Sequence, residues 1–464
     1  MPLVTIGLDL GTTTITALAL DAGGGRVLAF ETVLNDAEAS PGPGLAESNP
    51  ERIAILALEV LKTVARRLGT RAGEVAGIGV TGQQHGVLLV GGGLRPVGPF
   101  ISWRDGRGDE RIPGGTRSFA EEMVRLVGED ACARAGCRPA TGYMGVTLFW
   151  LRVHDRVPCG ATACFIADFL GARLTSRAPV TDPTLAASSG LFDVQAGRWD
   201  RGSMEALGLP LALFPEVRGA ARPVGPMDAG LAKALGIPAG IPVFGPLGDS
   251  QAAFLGGTLG REGEAFVNVG TGAQVAARSS RFLFAPPLET RPLPGGGYWL
   301  VGAQPSGGAA YAALEDFFRK VLDRFGGRGG GELYEGMNAL AAAAPPGADG
   351  LRCRPLFWGT RAAPGARAEW TGMSGRSFTP AHMTRALLEG IAELLCEDLD
   401  RIARATGAPL RCAVGCGNGL RKNPLLRRIL ADKLGFPVDL PSCPEEAAVG
   451  AARLAADGLM GGCR

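Results

Sequence analysis

The sequence predicts an α/β protein built from two related domains. Three observations carry this reading. The chain has 464 residues, and at about 200 residues per domain two domains are expected. Strands alternate with helices near both ends of the chain, the pattern of α/β domains. Two strand–turn–strand units built on Gly-Thr, DLGTTT at Asp9–Thr14 and NVGTGA at Asn268–Ala273, lie about half the chain apart. Each is predicted to give its domain one phosphate-facing β-hairpin, and the expected division is 1–250 and 251–464.

The elements follow from local signals. Leu3 to Asp9 alternates as a strand, turns at Gly11 and continues as Ile15–Leu20; the cluster Gly23, Gly24 and Gly25 then turns into Val27–Val33. Asn49-Pro50 opens a helix as N-cap and N1, with Ile53, Leu56, Val60, Leu61 and Val64 at helical spacing. Val75–Val80 is a strand leading into TGQQHG. After residue 240 the grammar repeats: Ile241–Phe244 leads into GPLGDSQAA with a helix through AAFLGGTLG, and Ala265–Val269 runs through GTGAQ to Val275–Ala277. A long helix over Thr379–Ala405 follows, then the strand Cys412–Val414, a glycine-rich turn and the helix PLLRRILADKLG.

Composition excludes several classes. Lys plus Arg is 47 against 45 Asp plus Glu, a net +2, without the basic excess of a nucleic-acid binder. Ten Cys without a C-x-x-C pair, and only three His, remove zinc-finger and thioredoxin readings. MPLVTIGLDLGTTT has no basic n-region, and no apolar run approaches the ~20 residues of a membrane span. The expectation is a soluble, cytoplasmic protein that binds neither nucleic acid nor membrane.

Four segments carry chemistry. A hairpin of small residues can aim backbone N–H groups at a phosphate, with Thr hydroxyls as further donors. Asp9, just before such a turn, would hold Mg²⁺ beside a triphosphate, or simply cap the turn. No G-x-x-x-x-G-K-[ST] is present, so a P-loop is excluded. Asp249, on a Gly-flanked loop after a buried strand, is placed to accept a hydroxyl proton or to cap the helix after it. Gln83-Gln84-His85-Gly86 and Trp103-Arg104-Asp105-Gly106-Arg107 offer amide, imidazole, carboxylate and guanidinium groups and an aromatic wall, the set that adjacent sugar hydroxyls need. The competing reading of Asp105 and Arg107 is a local salt bridge. In GCGNGLRKNPLLRRILADKLG, Gly417 lets a planar base approach the backbone, and Asn418 or Asn423 could bond it; Asn423 with Pro424 also reads as a helix cap. His154, His382, Cys412, Cys416 and the Arg-rich LRRIL read as structural or surface residues.

These motifs, in this order, resemble the FGGY carbohydrate kinases of the actin-like ATPase superfamily. DLGTTT is similar to the family's first phosphate loop, TGQQHG and WRDGR to its sugar segments, and Gly248-Asp249 to the loop bearing its base. NVGTGA resembles the second phosphate loop, GCGNGLRKNPLL the adenosine segment, and PEEAAVGAA the closing helix. Within the family GYMGVTLFWL, LAASSGLFDVQAGRWD and LGDSQAA are similar to sedoheptulokinases, whereas Gln84 stands where the family often has Met.

The resemblance implies two actin-like (ribonuclease-H-like) ATPase domains with the active site in the cleft between them. It implies transfer of a phosphoryl group from ATP, with Mg²⁺, to a terminal primary hydroxyl of a ketose, sedoheptulose first. Asp249 would be the base and Asp9 the metal-organising carboxylate. Gly11, Thr12, Thr13, Gly270, Thr271 and Gly272 would hold the phosphates. Gln84, His85, Trp103, Asp105 and Arg107 would hold the sugar, and Gly417, Asn418 and Asn423 the adenosine. Xylulose, another sugar or a polyol as acceptor, and a non-catalytic sensor, are the rival readings; a homodimer is compatible with all of them.

Overall fold

The computed structural model describes residues 3–258, 261, 263–304, 306–326, 332–360, 363 and 365–461. In the first half β1 (Val4–Leu10) and β2 (Thr14–Asp21) form the expected antiparallel hairpin around Gly11–Thr13, extended by β3 (Val27–Leu34). Helix α1 (Pro50–Leu68) starts where the sequence places it: the Asn49 side chain accepts from the N–H groups of Glu51 and Arg52, with Pro50 at N1. Its apolar stripe packs on the sheet. β4 (Val75–Gly82) then runs parallel to β1, and β5 (Pro242–Gly248) parallel to β4. The sheet order is β5-β4-β1-β2-β3, with a short Gly225–Pro226 strand on the β5 edge. Between β4 and β5 the chain builds the scaffold of the segments expected to bind the sugar, including strands Gly86–Gly91 and Phe100–Ser102 and helices Met144–Val153 and Ile166–Thr175.

Helix α2 (Asp249–Gly257) leaves β5, and the second half repeats the first. Of the helix expected through AAFLGGTLG, Leu259 and Gly260 lie outside the described residues. β6 (Glu264–Val269) and β7 (Ala273–Ser279) are the second antiparallel hairpin; β8 (Glu289–Pro292) and β9 (Tyr298–Gln304) extend it. Helices α3 (Gly308–Phe325) and α4 (Pro380–Thr406) precede β10 (Cys412–Cys416), which is parallel to β6. After α5 (Pro424–Leu434), β11 (Val438–Asp439) completes the order β8-β9-β7-β6-β10-β11, and α6 (Glu446–Leu459) follows. Both halves thus hold one antiparallel hairpin extended by antiparallel strands on one side and parallel strands on the other, the doubled α/β arrangement that the two Gly-Thr units predict.

The halves are joined by exchange. Phe254 of α2 packs with Phe266, Trp299 and Val414 of the second sheet. Ala448, Val449 and Ala452 of α6 pack with Leu18 and Leu20 of the first. The two helices also cross at van der Waals range: a Cβ on Gly450 would stand 1.8 Å from the Ala252 carbonyl oxygen, and one on Gly256 1.9 Å from that of Glu446. Only glycine lets the backbones approach so closely. The expected division at 250/251 falls inside α2, a helix that begins at the end of one sheet and packs on the other.

The bland readings of the remaining residues hold in outline. The exposed His154 stacks on Trp150 at 3.9 Å. His382 sits half-buried in the first turn of α4, bonded to Thr379 and Asp349. Cys416 is buried and Cys412 half-buried. Among the described residues no helix is long and apolar enough to cross a membrane.

Candidate active site

The carboxylates are brought together by parallel strands. Asp9 lies near the end of β1 and Asp249 at the first position of α2, and β4 lies between β1 and β5. Burial, the Asp249 carboxylate and Glu445 hold the Asp9 carboxyl well above the usual carboxylate range. Asp9 Oδ1 is buried and has no hydrogen-bond partner. Burial also pushes Asp249 up to about 6, opposed by donation from Ser250 N–H at 2.7 Å and its hydroxyl, by the Arg291 guanidinium and by Gln84 N–H. An acid that ionises close to neutral pH suits proton acceptance.

Both Gly-Thr hairpins, expected to hold phosphates, reach this point. The first is braced by Asn35, whose Nδ2 donates to Gly11 O at 2.9 Å and whose N–H donates to Thr13 O at 2.8 Å. Thr13 is exposed, and the Thr12 hydroxyl accepts from Trp103 Nε1 at 2.9 Å. Trp103, expected as a sugar wall, therefore bonds the phosphate loop. The second hairpin is backed by the start of α3: Gly308 N–H donates to Gly270 O at 2.8 Å and Ala309 N–H to Thr271 O at 2.9 Å. It meets the Asp249 loop through Gln274, whose Oε1 accepts from Ser250 Oγ at 3.4 Å.

The turn expected to hold adenosine lies against the same hairpin. Gly417 has φ +82°, and a Cβ there would lie 2.5 Å from Asn268 Oδ1 and Val269 O, so the position requires glycine. Asn418 next to it is exposed. Asn423 differs from the expectation: its Oδ1 accepts from Leu426 N–H as the α5 cap, and its Nδ2 donates to Asn338 at 2.9 Å. Both ends of its amide are occupied within the protein.

The residues expected to bind the sugar fall into two groups. Gln84 and Gln251 both flank Gly248, whose hypothetical Cβ would lie 3.4 Å from Gln84 Cγ and 2.9 Å from Gln251 Oε1. Among the described residues, Gln83 Oε1, Gln84 Nε2 and both polar atoms of Gln251 are buried without a hydrogen-bond partner. His85 Nδ1 is 3.1 Å from Ser188 O, and its ring is 4.4 Å from that of Tyr143. Asp105 and Arg107 do not open into a pocket. Arg107 Nε donates to Asp105 Oδ1 at 2.6 Å, Ala46 N–H donates to Asp105 Oδ2 at 2.8 Å, and Arg107 also pairs with Glu47. The salt-bridge reading describes them: both Asp105 oxygens accept from the protein, and Arg107 Nε and Nη2 are paired with Asp105 and Glu47.

Sequence reasoning missed several residues. Asp182 caps the short helix Pro183–Ala187; from it Thr184 Oγ1 accepts from Gly248 N–H at 3.0 Å, and the Ser188 hydroxyl after it donates to Gln84 O. This helix therefore braces the base loop and the sugar loop together. Tyr143, Glu289 and Arg291 form a cluster from both halves: Tyr143 OH donates to Glu289 Oε1 at 2.7 Å, and Arg291 Nη1 donates to Gln84 Oε1 at 2.9 Å. A charged i, i+2 pair in a strand, both on one face, was the available signal.

Comparison with known proteins agrees with this geometry. The FGGY N-terminal domain model matches residues 4–256 and the C-terminal domain model residues 265–458. The chain is 32% identical to a glycerol kinase of Thermus brockianus over 462 residues, 96% of this chain and 88% of that one. It is 29% identical to a glycerol kinase of Leptothrix cholodnii, over 97% of this chain and 89% of the relative. Among solved structures, a xylulose kinase from Rhodospirillum rubrum superposes with TM-score 0.84 at 29% identity, covering 99% of this chain and 90% of that one. With two domain models spanning nearly its whole length and both Gly-Thr hairpins converging on Asp249, the chain belongs to the FGGY family of carbohydrate kinases.

Proposed function

We propose that this kinase transfers the γ-phosphoryl group of ATP to a terminal primary hydroxyl of a polyhydroxylated ketose, with sedoheptulose, giving the 7-phosphate, as the leading acceptor. The observation that carries the reading is the pair Gln84 and Gln251, whose buried, unpartnered amide atoms lie on either side of Gly248, next to Asp249. Buried polar groups without partners cost about 1–3 kcal/mol each, so such a pair suits a ligand that supplies several hydroxyls. Glycerol has three, a seven-carbon ketose six. Glycerol is the second reading, favoured by the relatives at about 30% identity.

In the mechanism Asp249 accepts the proton of the attacking hydroxyl, while Gln84 and Gln251 orient the acceptor. Gly11–Thr13 and Gly270–Gly272 hold the phosphates, with Gly417 and Asn418 against the adenosine. Among the described residues no cluster of three or more His, Cys, Asp or Glu is arranged for a metal. The orphaned Asp9 Oδ1 fits a carboxylate ligand for Mg²⁺, which would supply charge neutralisation on the transferred group.

The test is an acceptor panel of glycerol, xylulose, ribulose, gluconate and sedoheptulose with ATP and Mg²⁺, following ADP release. Sedoheptulose should give the highest kcat/KM. Glycerol as the best acceptor would replace the ketose reading, and no ADP release with any acceptor would refute the kinase.

A further inference from the structure

The sugar loop is held from the opposite domain. Arg291 lies on β8, the edge strand of the second sheet, yet its Nη1 reaches 2.9 Å to Gln84 Oε1 in the first half. Arg291 is 3% exposed and Gln84 4%, so the contact is shielded from solvent. The guanidinium is itself fixed: Nε donates to Glu289 Oε2 at 3.0 Å, and Glu289 Oε1 accepts from Tyr143 OH at 2.7 Å. Tyr143 in turn lies against His85. The pair Glu289–Arg291 thus grips two consecutive residues of the sugar loop, one directly and one through Tyr143.

Hydrogen-bond chemistry decides what this does. A guanidinium has only donors, so the Gln84 carbonyl must face Arg291. The amide NH₂ must then point the other way, where Nε2 is buried and without a partner. An unanchored glutamine amide could present either end.

We propose that Arg291 is a positioning residue for sugar recognition: it locks the Gln84 amide with its NH₂ toward the acceptor, so that an oxygen of the sugar must accept a hydrogen bond there. The inference rests on the sugar-kinase reading. Because Arg291 comes from the second domain, the lock also makes the sugar loop complete only when the domains stand as they do here. Its charge is one of the groups that restrain the upward displacement of Asp249, which supplies an independent readout.

The experiment compares Arg291→Gln, Arg291→Lys, Gln84→Met and the double variant Arg291→Gln/Gln84→Met, using the best acceptor of the unmodified protein. Arg291→Gln should raise the acceptor KM by about tenfold or more while the ATP KM changes by less than about threefold. Its acid limb of kcat should move to higher pH. Arg291→Lys keeps the charge but not the fork, so it should retain the acid limb and still show a raised acceptor KM. In the Gln84→Met background, Arg291→Gln should add less than about threefold, because one interaction has already been removed. If Arg291→Gln leaves a buried Glu289 charge that unfolds the protein, Glu289→Gln/Arg291→Gln removes both charges and takes its place. An unchanged acceptor KM, or full multiplication of the Arg291 and Gln84 effects, overturns the inference while leaving the kinase intact. An unmodified protein that phosphorylates no acceptor overturns both.

Discussion

Replacing Asp249 by Asn should separate turnover from stability. The carboxyl ionises at about 6 in the folded protein because it is buried, against about 3.9 in an unfolded chain. Well below pH 4 it is protonated in both states and carries no penalty. From about pH 4 to 6 the unfolded chain has released this proton while the folded protein keeps it, so stability falls across that window and is level above it. A difference of about two pH units corresponds to about 3 kcal/mol by linkage. Asn has the same shape and is neutral, and its Oδ1 still accepts from Ser250 N–H, now 2.7 Å away. It also removes the repulsion felt by Asp9. Asp249→Asn should therefore be more stable than the unmodified protein at pH 8, by about 1–3 kcal/mol, and equal to it at pH 4. At about 2–4 °C per kcal/mol for a domain of this size, the rise in Tm is measurable. Turnover should fall by about 10²–10⁴, the range for losing a general base. Thermal melts of ligand-free protein from pH 4 to 8, with ADP release measured in parallel, make the test. A variant that melts lower than the parent at pH 8, or keeps more than about a tenth of its turnover, refutes the assignment of a strained catalytic base.

Three further outcomes follow from the same geometry. Gly450→Ala should destabilise by about 3 kcal/mol or more, since its methyl would meet the Ala252 carbonyl; helix propensity alone would make it stabilising by about 1 kcal/mol, so the sign in a denaturant titration decides. Asp9→Asn should raise the Mg²⁺ concentration for half-maximal activity by about tenfold or more at saturating ATP; an unchanged Mg²⁺ titration would remove Asp9 from the metal site. Sedoheptulose should exceed xylulose in kcat/KM by about tenfold, and Gln84→Met should narrow that gap by weakening the longer sugar; equal or better use of xylulose by the unmodified protein would end the sedoheptulose reading.

The sequence by itself determined what depends on neighbours along the chain. Asn49-Pro50, Thr379-Pro380 and Asn423-Pro424 each start a helix because a cap and its N–H partners lie within three residues. The two Gly-Thr hairpins form because alternating strands flank a turn of small residues. The places of Asp9 and Asp249 were legible for the same reason, one before the turn of its strand and the other where a strand passes into a helix. Tertiary structure decided whatever depended on which distant groups meet. The residues Asp105, Arg107 and Asn423 carry side chains equally suited to a ligand or to the protein, and only the fold brings Ala46, Glu47 and Asn338 to them first. Arg291 reaches Gln84 across 207 residues of chain, and Tyr143 reaches Glu289 across 146. No local spacing encodes such pairings. They exist because two helices exchange sheets and cross on bare glycine, which sets the two halves close enough for a strand of one to hold the sugar loop of the other.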